Sequence, residues 1–236
     1  MKFTDQDLQV LTNFNEISSH ILFQKGKIQR TINTMKNMLC EYQMENEITE
    51  KFALYDLGEF LNIHDLFDKP NIKLQNDKLI LKDKRFTSEY YTSDENVIIS
   101  PQKKPDEKLE YDYHFLLRKN DIEDFNLIRK RTKKSLPDLI IQNKLGNFNF
   151  QLTDKASKIS TNVSFNIDED NKTNHQLKFY IKCDHFDKIL TDDYFVEVSS
   201  KKVMKLTNRN KNLRYWIALE PDSEFDSNKI EGKINA

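Results

Sequence analysis

The 236-residue sequence predicts an α+β fold built from two similar halves. Three observations predict it. Four short segments place a Thr, Asn or Asp three residues before a carboxylate, which is how helices begin when side chains satisfy the free N–H groups of the first turn. Between these segments lie short apolar runs, many of them alternating, as half-buried strands require. The order of helix, strands, helix, strands also occurs twice. It is clearest where a strand runs into a cap: Phe52-Ala53-Leu54-Tyr55-Asp56 with Glu59, and Phe179-Tyr180-Ile181-Lys182-Cys183-Asp184 with Asp187, one residue longer. Duplication of one helix–sheet unit is the simplest account. Chance recurrence of caps in an α+β chain is the alternative.

The elements follow in order. Thr4 and Asp7 make the first cap, and Leu8, Leu11, Phe14 and Ile17 follow at helical spacing. Strands are predicted at 19–23, 27–32, 38–44 and 51–55. The second cap, Asp56 with Glu59, opens a helix with Phe60, Leu61 and Phe67 on its apolar side, and Pro70 is expected to end it. Residues 72–74 and 79–82 read as a hairpin turned at Asn76-Asp77, and 86–91 continues the sheet. The polar segment SPQKKPDEK at 100–108, with two prolines, is the best linker. In the second half, Asn120 with Glu123 is the third cap, with Ile122, Phe125 and Ile128 behind it. Strands at 139–142 and 148–152 flank a turn at Gly146-Asn147, and 163–167 and 176–182 alternate. Asp184 with Asp187 is the fourth cap, before Ile189 and Leu190, and strands at 194–199, 203–207 and 215–219 complete the half. The domains are expected at 1–110, with a connector at about 98–110, and at 111–236.

Composition narrows the function. With 16 Phe, 9 Tyr and 1 Trp the chain can build a core despite its 32% charged residues. Four glycines cannot supply a phosphate-cradling loop, a dinucleotide fingerprint or a nucleophile elbow. The two cysteines, Cys40 and Cys183, form no C-x-x-C, so a reducing compartment without a disulfide framework is expected. No apolar run reaches bilayer length and the N-terminus turns acidic at once, so a soluble intracellular protein with no signal peptide is expected. The five histidines show no zinc spacing. His185, beside Cys183 and Asp184, reads as a surface histidine at a helix start. Asp168-Glu169-Asp170 and Asp192-Asp193 could attract Mg²⁺ but fit solvated turns better. No Ser/His/Asp group can be placed, so neither an enzyme nor a cofactor is expected.

The charge is unevenly spread. Net charge is −1 overall, but 15 basic and 19 acidic residues fall in 1–110 against 22 and 19 in 111–236, so any polyanion contact leans on the second half. Residues 118–134 hold seven basic and three acidic side chains. On a helix with Ile122, Phe125 and Ile128 buried, Lys119, Lys130 and Lys134 take the opposite face with Arg131 beside them, and Glu123 and Leu127 share it. Such a face suits phosphate contact without base reading, or is an ordinary solvated face. A second basic run at 201–214 has six basic residues and no acid, and strand lysines that deter aggregation explain it equally well.

Three segments carry a resemblance. FALYDLGEFLNIHDL at 52–66, YWIALEPDSEFD at 215–226 and VIISPQKKP at 97–105 resemble, in that order, a strand-and-helix segment, the closing strand and the interdomain connector of the sliding clamps of T4-type bacteriophages, the DNA polymerase processivity factors. The order of elements is similar over 1–226. The resemblance implies a homotrimeric ring of two duplicated clamp domains per subunit, with helices lining the inside and antiparallel sheets outside. It implies duplex DNA, bound without sequence preference, the polymerase and an ATP-dependent clamp loader as partners, the cytoplasm of the infected bacterial host as location, and a role in late transcription as a mobile activator. Under it, Lys119, Lys130, Arg131, Lys134, Lys188 and, more weakly, Lys69 become DNA-facing residues. Ile98, Ile99, Pro101, Leu219 and Pro221 become a pocket for partner peptides, with burial under the connector as the alternative. The first helix departs from the pattern: it lacks outward basic residues, so either Gln9 and Asn13 make neutral phosphate contacts or the first half contributes little. The final SNKIEGKINA runs past the family's usual end and reads as a loose tail. The rival readings are a single-strand-binding protein, using Phe148 and Phe150 or Tyr90 and Tyr91 as stacking platforms, and a structural phage protein.

Overall fold

The structure, a computed structural model, describes residues 1–101, 108–144, 147–167 and 177–225. The Asp168–Asp170 cluster, Gly146, most of the linker and the final tail lie outside the described residues. The chain forms two compact units, Met1–Glu107 with Arg209–Trp216, and Lys108–Asn208 with Ile217–Ala236.

The first unit runs α1 (Asp5–Ile17), β1 (Ile21–Phe23), β2 (Gly26–Ile32), β3 (Met38–Ile48), β4 (Phe52–Leu54), α2 (Leu57–His64), β5 (Asn71–Gln75), β6 (Lys78–Lys82) and β7 (Thr87–Tyr91), then a 3₁₀ turn at Glu95–Val97. β1 pairs with β4, β2 with β3, and β5, β6 and β7 form an antiparallel meander. β2 slips register between Gly26 and Ile28, and Gly26 sits at φ +106°, where a side chain would be strained. The Asn76-Asp77 turn is as predicted: Gln75 pairs with Lys78, and Asn76 takes φ +56°, which asparagine tolerates better than most residues.

α1 begins at a full capping box. The Asp7 N–H donates to Thr4 Oγ1 at 3.2 Å, and the Thr4 N–H donates to Asp7 Oδ2 at 2.9 Å. Asp7 is fully buried because its other oxygen accepts the buried Tyr42 hydroxyl at 2.8 Å. One carboxylate thus closes the helix and ties it to β3. Asp7→Ala removes the cap and strands the Tyr42 hydroxyl, so a loss of about 2 kcal/mol in urea unfolding is expected, with Thr4→Ala costing about half as much. The α1 residues Val10, Leu11 and Phe14 are fully buried, as is Phe60 of α2. Phe60 meets Tyr90 edge-on at 5.6 Å, and Phe23 stacks on Phe52 at 4.8 Å. α2 is capped by Asp56, whose Oδ1 accepts the Glu59 N–H at 2.7 Å. Pro70 does not end this helix. The last helical residue is His64, and the chain turns through 65–70 with Lys69 at φ +51° before β5 begins.

The second unit runs β8 (Tyr113–Leu117), α3 (Lys119–Arg131), β9 (Asp138–Lys144), β10 (Asn147–Thr153), β11 (Val163–Asn166), β12 (Lys178–Lys182), α4 (Cys183–Phe186), β13 (Tyr194–Ser199) and β14 (Val203–Asn208). The last strand, β15, is Leu213–Ala218, and its residues up to Trp216 lie in the first unit. From α3 onward the chain repeats the order of the first unit: a helix, four strands, a helix, three strands. One sheet has the order β11-β10-β9-β12, and β14, β13 and β8 are neighbours in another. Asn147 is already a strand residue, paired with Lys144, rather than part of a turn. The core gathers Ile122 and Phe125 of α3, Phe148 and Phe150 of β10, Phe179 of β12 and Phe186 of α4, each 0% or 1% exposed. No helix among the described residues is long and apolar enough to cross a membrane.

Candidate nucleic-acid interface

The cation-bearing helix α3 is positioned from both ends and from beneath. Its N-terminus differs from the sequence reading. Asp121, not Asn120 with Glu123, organises the first turn, and its Oδ2 accepts the Arg118 N–H at 2.7 Å. The next N–H, of Lys119, donates to Asp193 Oδ1 at 2.8 Å, so Asp193 serves as a structural acceptor. Beneath the helix Phe125 meets Phe186 edge-on at 4.8 Å, and Phe186 meets Phe150 at 5.7 Å.

The C-terminal end is held by Arg129, which is 2% exposed. Its Nε and Nη2 donate to the two oxygens of Asp187 at 2.9 and 2.7 Å, Nη2 also reaches Asp184 at 3.1 Å, and Nη1 donates to the Leu136 carbonyl at 2.8 Å. This bidentate geometry is what the planar guanidinium forms best. Burial pushes the Asp187 carboxyl up, but hydrogen bonds from Arg129 and Lys134 outweigh it and hold the group below the usual carboxylate range. The fourth predicted cap is therefore corrected. α4 is a single turn with no side-chain cap, and Asp184 and Asp187 bind Arg129 instead. The buried stripe of α3 is Ile122, Phe125 and Arg129, while Ile128 is only half-buried.

With Arg129 turned inward, the exposed cations gather where the helix ends. Lys130 and Arg131 are exposed and have no ion-pair partner among the described residues. A cationic end also suits the partial negative charge of a helix C-terminus. The helix stops at Arg131, so Lys134 is not on its face. It lies in the following turn at φ +61° and pairs with Asp187 at 3.2 Å. Lys133, which the sequence reading did not single out, is exposed in the same turn. Lys119, a helix length away, pairs with Glu123 at 3.6 Å. Lys188 is half-buried on the turn after α4, its N–H donated to the His185 carbonyl at 3.3 Å.

In the first unit Lys69 is exposed past α2. Asn13 cannot meet a phosphate: it is 6% exposed and its Oδ1 accepts the Tyr215 hydroxyl at 2.7 Å. Gln9 is exposed and accepts from Lys211 Nζ at 3.3 Å, so a residue 202 positions away brings positive charge to α1. Two of the six cations of the second basic run are paired within the protein: Lys205 with Glu197 at 2.7 Å, and Arg214 with Glu41 at 2.8 Å.

The residues read as a peptide pocket divide by environment. Ile98 is 6% exposed and packs with Leu22 and Ala53, whereas Ile99 is exposed and Pro101 half-buried. Leu219 is buried, its N–H donated to the Lys202 carbonyl at 2.9 Å, and Pro221 is exposed. The stacking platforms fare poorly. Phe148 and Phe150 are core residues and Tyr90 is buried, which leaves only Tyr91 exposed. His185 is half-buried rather than a surface residue, and burial lowers its pKa. Burial pushes the neighbouring Cys183 thiol up to about 12, so it stays protonated at neutral pH. Among the described residues no three His, Cys, Asp or Glu side chains form a group that could hold a metal ion.

The fold is that of a sliding clamp. The PCNA of Entamoeba histolytica is similar with a TM-score of 0.67 over 93% of this chain and 97% of that one, at 11% identity. The PCNA of A. fulgidus, solved with the C-terminal region of FEN-1, gives 0.68 over 94% and 98%, at 12% identity. A family model described as DNA polymerase processivity factor matches residues 6–100. The sliding clamp of Vibrio phage KVP40 is 25% identical over 230 residues, 93% of this chain and 99% of that protein. That of Escherichia phage RB69 is 33% identical over 105 residues, 44% of this chain and 46% of that protein. These similarities support a sliding clamp of the T4-type phage kind, and the clamps it resembles are processivity factors rather than enzymes.

Proposed function

We propose that the protein encircles duplex DNA as a homotrimeric ring and tethers the phage replicative polymerase to its template. An ATP-dependent loader opens the ring, and all of this takes place in the cytoplasm of the infected bacterium. The observation that carries the reading is the end of α3. Lys130 and Arg131 stand exposed there and without ion-pair partners, on a helix anchored by a buried arginine. Lysine and arginine without base-reading partners suit loose phosphate contact, and loose contact through water permits sliding where base contacts would arrest it. Lys119, Lys134, Lys188 and Lys69 join them as weaker contacts, since the first two are already paired in the protein. Topological linkage, not affinity, then supplies processivity. On the resemblance alone, Ile98, Ile99, Pro101, Leu219 and Pro221 are assigned to partner-peptide binding, domains 1–110 and 111–236 are the two clamp domains, and the ring also serves late transcription as a mobile activator.

Light scattering is expected to give a mass of three chains. In primer extension with the phage polymerase, loader and ATP, adding the protein is expected to lengthen the products, and omitting ATP abolishes the gain. A monomer with no effect on product length in the complete system overturns the reading and favours a structural phage protein. Tight binding to short single strands favours a single-strand binder.

A further inference from the structure

We propose that a cleft in the first unit, between the turn after α2 and the β6–β7 turn, binds an acidic peptide segment carrying one apolar side chain. The cleft has a volume of about 670 Å³, and five cations line it: Lys2, Lys69, Lys82, Lys84 and Arg85. None of the five has an ion-pair partner among the described residues.

Two carboxylates also line it, but one is spent on architecture. Asp83 Oδ1 accepts the N–H groups of Phe86 and Arg85 at 2.6 and 2.7 Å, and its Oδ2 accepts the Asp68 N–H at 3.0 Å. Those backbone bonds, from Phe86 and Arg85 above all, hold the carboxyl below its usual range. Asp83 therefore staples one wall to the other and sets the width of the cleft. Asp83 keeps its charge and feels Arg85, so it and Asp68 offset part of the five cations and the lining remains net positive.

The lining is not only charged. Leu66 is 66% and Phe86 42% exposed, an apolar pair that a phosphate backbone does not use and a peptide side chain does. The Phe86 ring is also poorly placed to stack on a base. The Arg85 guanidinium covers one face at 5.2 Å, and Phe67 meets the ring at 5.9 Å and 74°. An adjoining concavity of about 320 Å³ shares Lys2 and Lys69 and adds Phe3, His64 and one carboxylate, Asp5, so the track continues there for the apolar part of an extended segment more than for its acidic part. Charge complementarity and the apolar pair together select the acidic peptide over nucleic acid.

The test is fluorescence anisotropy on the full chain at low salt. The probe is a labelled synthetic peptide of alternating Glu and Asp around a central Phe. Saturable binding that weakens with salt is expected. Lys84→Glu with Arg85→Glu, both on an exposed turn, is expected to weaken it at least about tenfold. Leu66→Ser in the protein, or Ser for Phe in the peptide, is expected to weaken it about fivefold. Equal binding by the charge-reversed protein, or by the Ser peptide, overturns the proposal. So does displacement of the peptide by a single-stranded oligonucleotide that binds more tightly and loses affinity in the same variants. The measurement needs no loader or polymerase, so its failure leaves the tethering reading untouched.

Discussion

Arg129→Ala is expected to destabilise the protein by about 3–5 kcal/mol, the largest single-residue effect anticipated outside the aromatic core. The reason is the group left behind more than the bond lost. Asp187 has a side chain only 14% exposed and would be left in a site built around a guanidinium, with Lys134 as its remaining cationic partner. Two further variants separate these contributions. Asp184 is 82% exposed, so Asp184→Asn is expected to change stability by no more than about 0.5 kcal/mol. Arg129→Met with Asp187→Leu removes both charges and is expected to recover most of the loss, since an apolar pair of similar volume avoids desolvating either ion. The pH dependence has a definite sign. The folded-state pKa of Asp187 lies below its unfolded value, so its stabilisation is complete above the ordinary carboxylate pKa of about 3.9 and drains as pH falls through the folded value. Arg129 stays protonated across that range. The stability gap between the native protein and Arg129→Ala is therefore expected to shrink as pH falls into the carboxylate range. Urea unfolding at several pH values measures this, and a gap that widens toward acid contradicts the assignment.

Features written in neighbouring residues were legible, and features assembled from distant ones were not. The Thr4–Asp7 box, the Asp56 cap and the Asn76-Asp77 turn are each settled within four residues, and each is present. Asp184 and Asp187 show the same spacing as a cap but serve a buried arginine 55 and 58 positions away, a partner that no local pattern names. Asn13 illustrates the same limit, since what buries it is Tyr215, 202 residues on. Lys211 reaches α1 across an equal separation, which places positive charge where the helix's own sequence offers none. Arg129 is a different case. It stands four residues after Phe125 and seven after Ile122, the spacing of the buried stripe, so helical periodicity already pointed it inward. The basic count over 118–134 includes it without assigning it to a face, and only its position does so.

That inward turn decides how the proposed DNA-facing surface should be tested. Lys130→Glu with Arg131→Glu is expected to reduce loader-dependent product length close to the level seen without the protein, while costing no more than about 1–2 kcal/mol in urea unfolding, from two carboxylates at a helix C-terminus. Both side chains are exposed and without ion-pair partners among the described residues, so reversing them breaks no internal bond. Under the proposed function the change replaces two attractions for phosphate with two repulsions in each subunit, which a threefold ring would multiply. Any direct binding to duplex is expected to lose salt sensitivity by about one unit of log–log slope for each phosphate contact removed. Lys134→Glu is the poorer probe, because Lys134 pairs with Asp187 and its loss mixes stability with binding. Lys119→Glu is the internal control: Lys119 already answers Glu123, so a smaller loss of processivity is expected from it. If the double variant extends primers as well as the native protein, the contacts with duplex lie elsewhere. Lys211 beside α1 is then the next position to reverse, because the sliding-clamp fold does not depend on which helix end meets the phosphates.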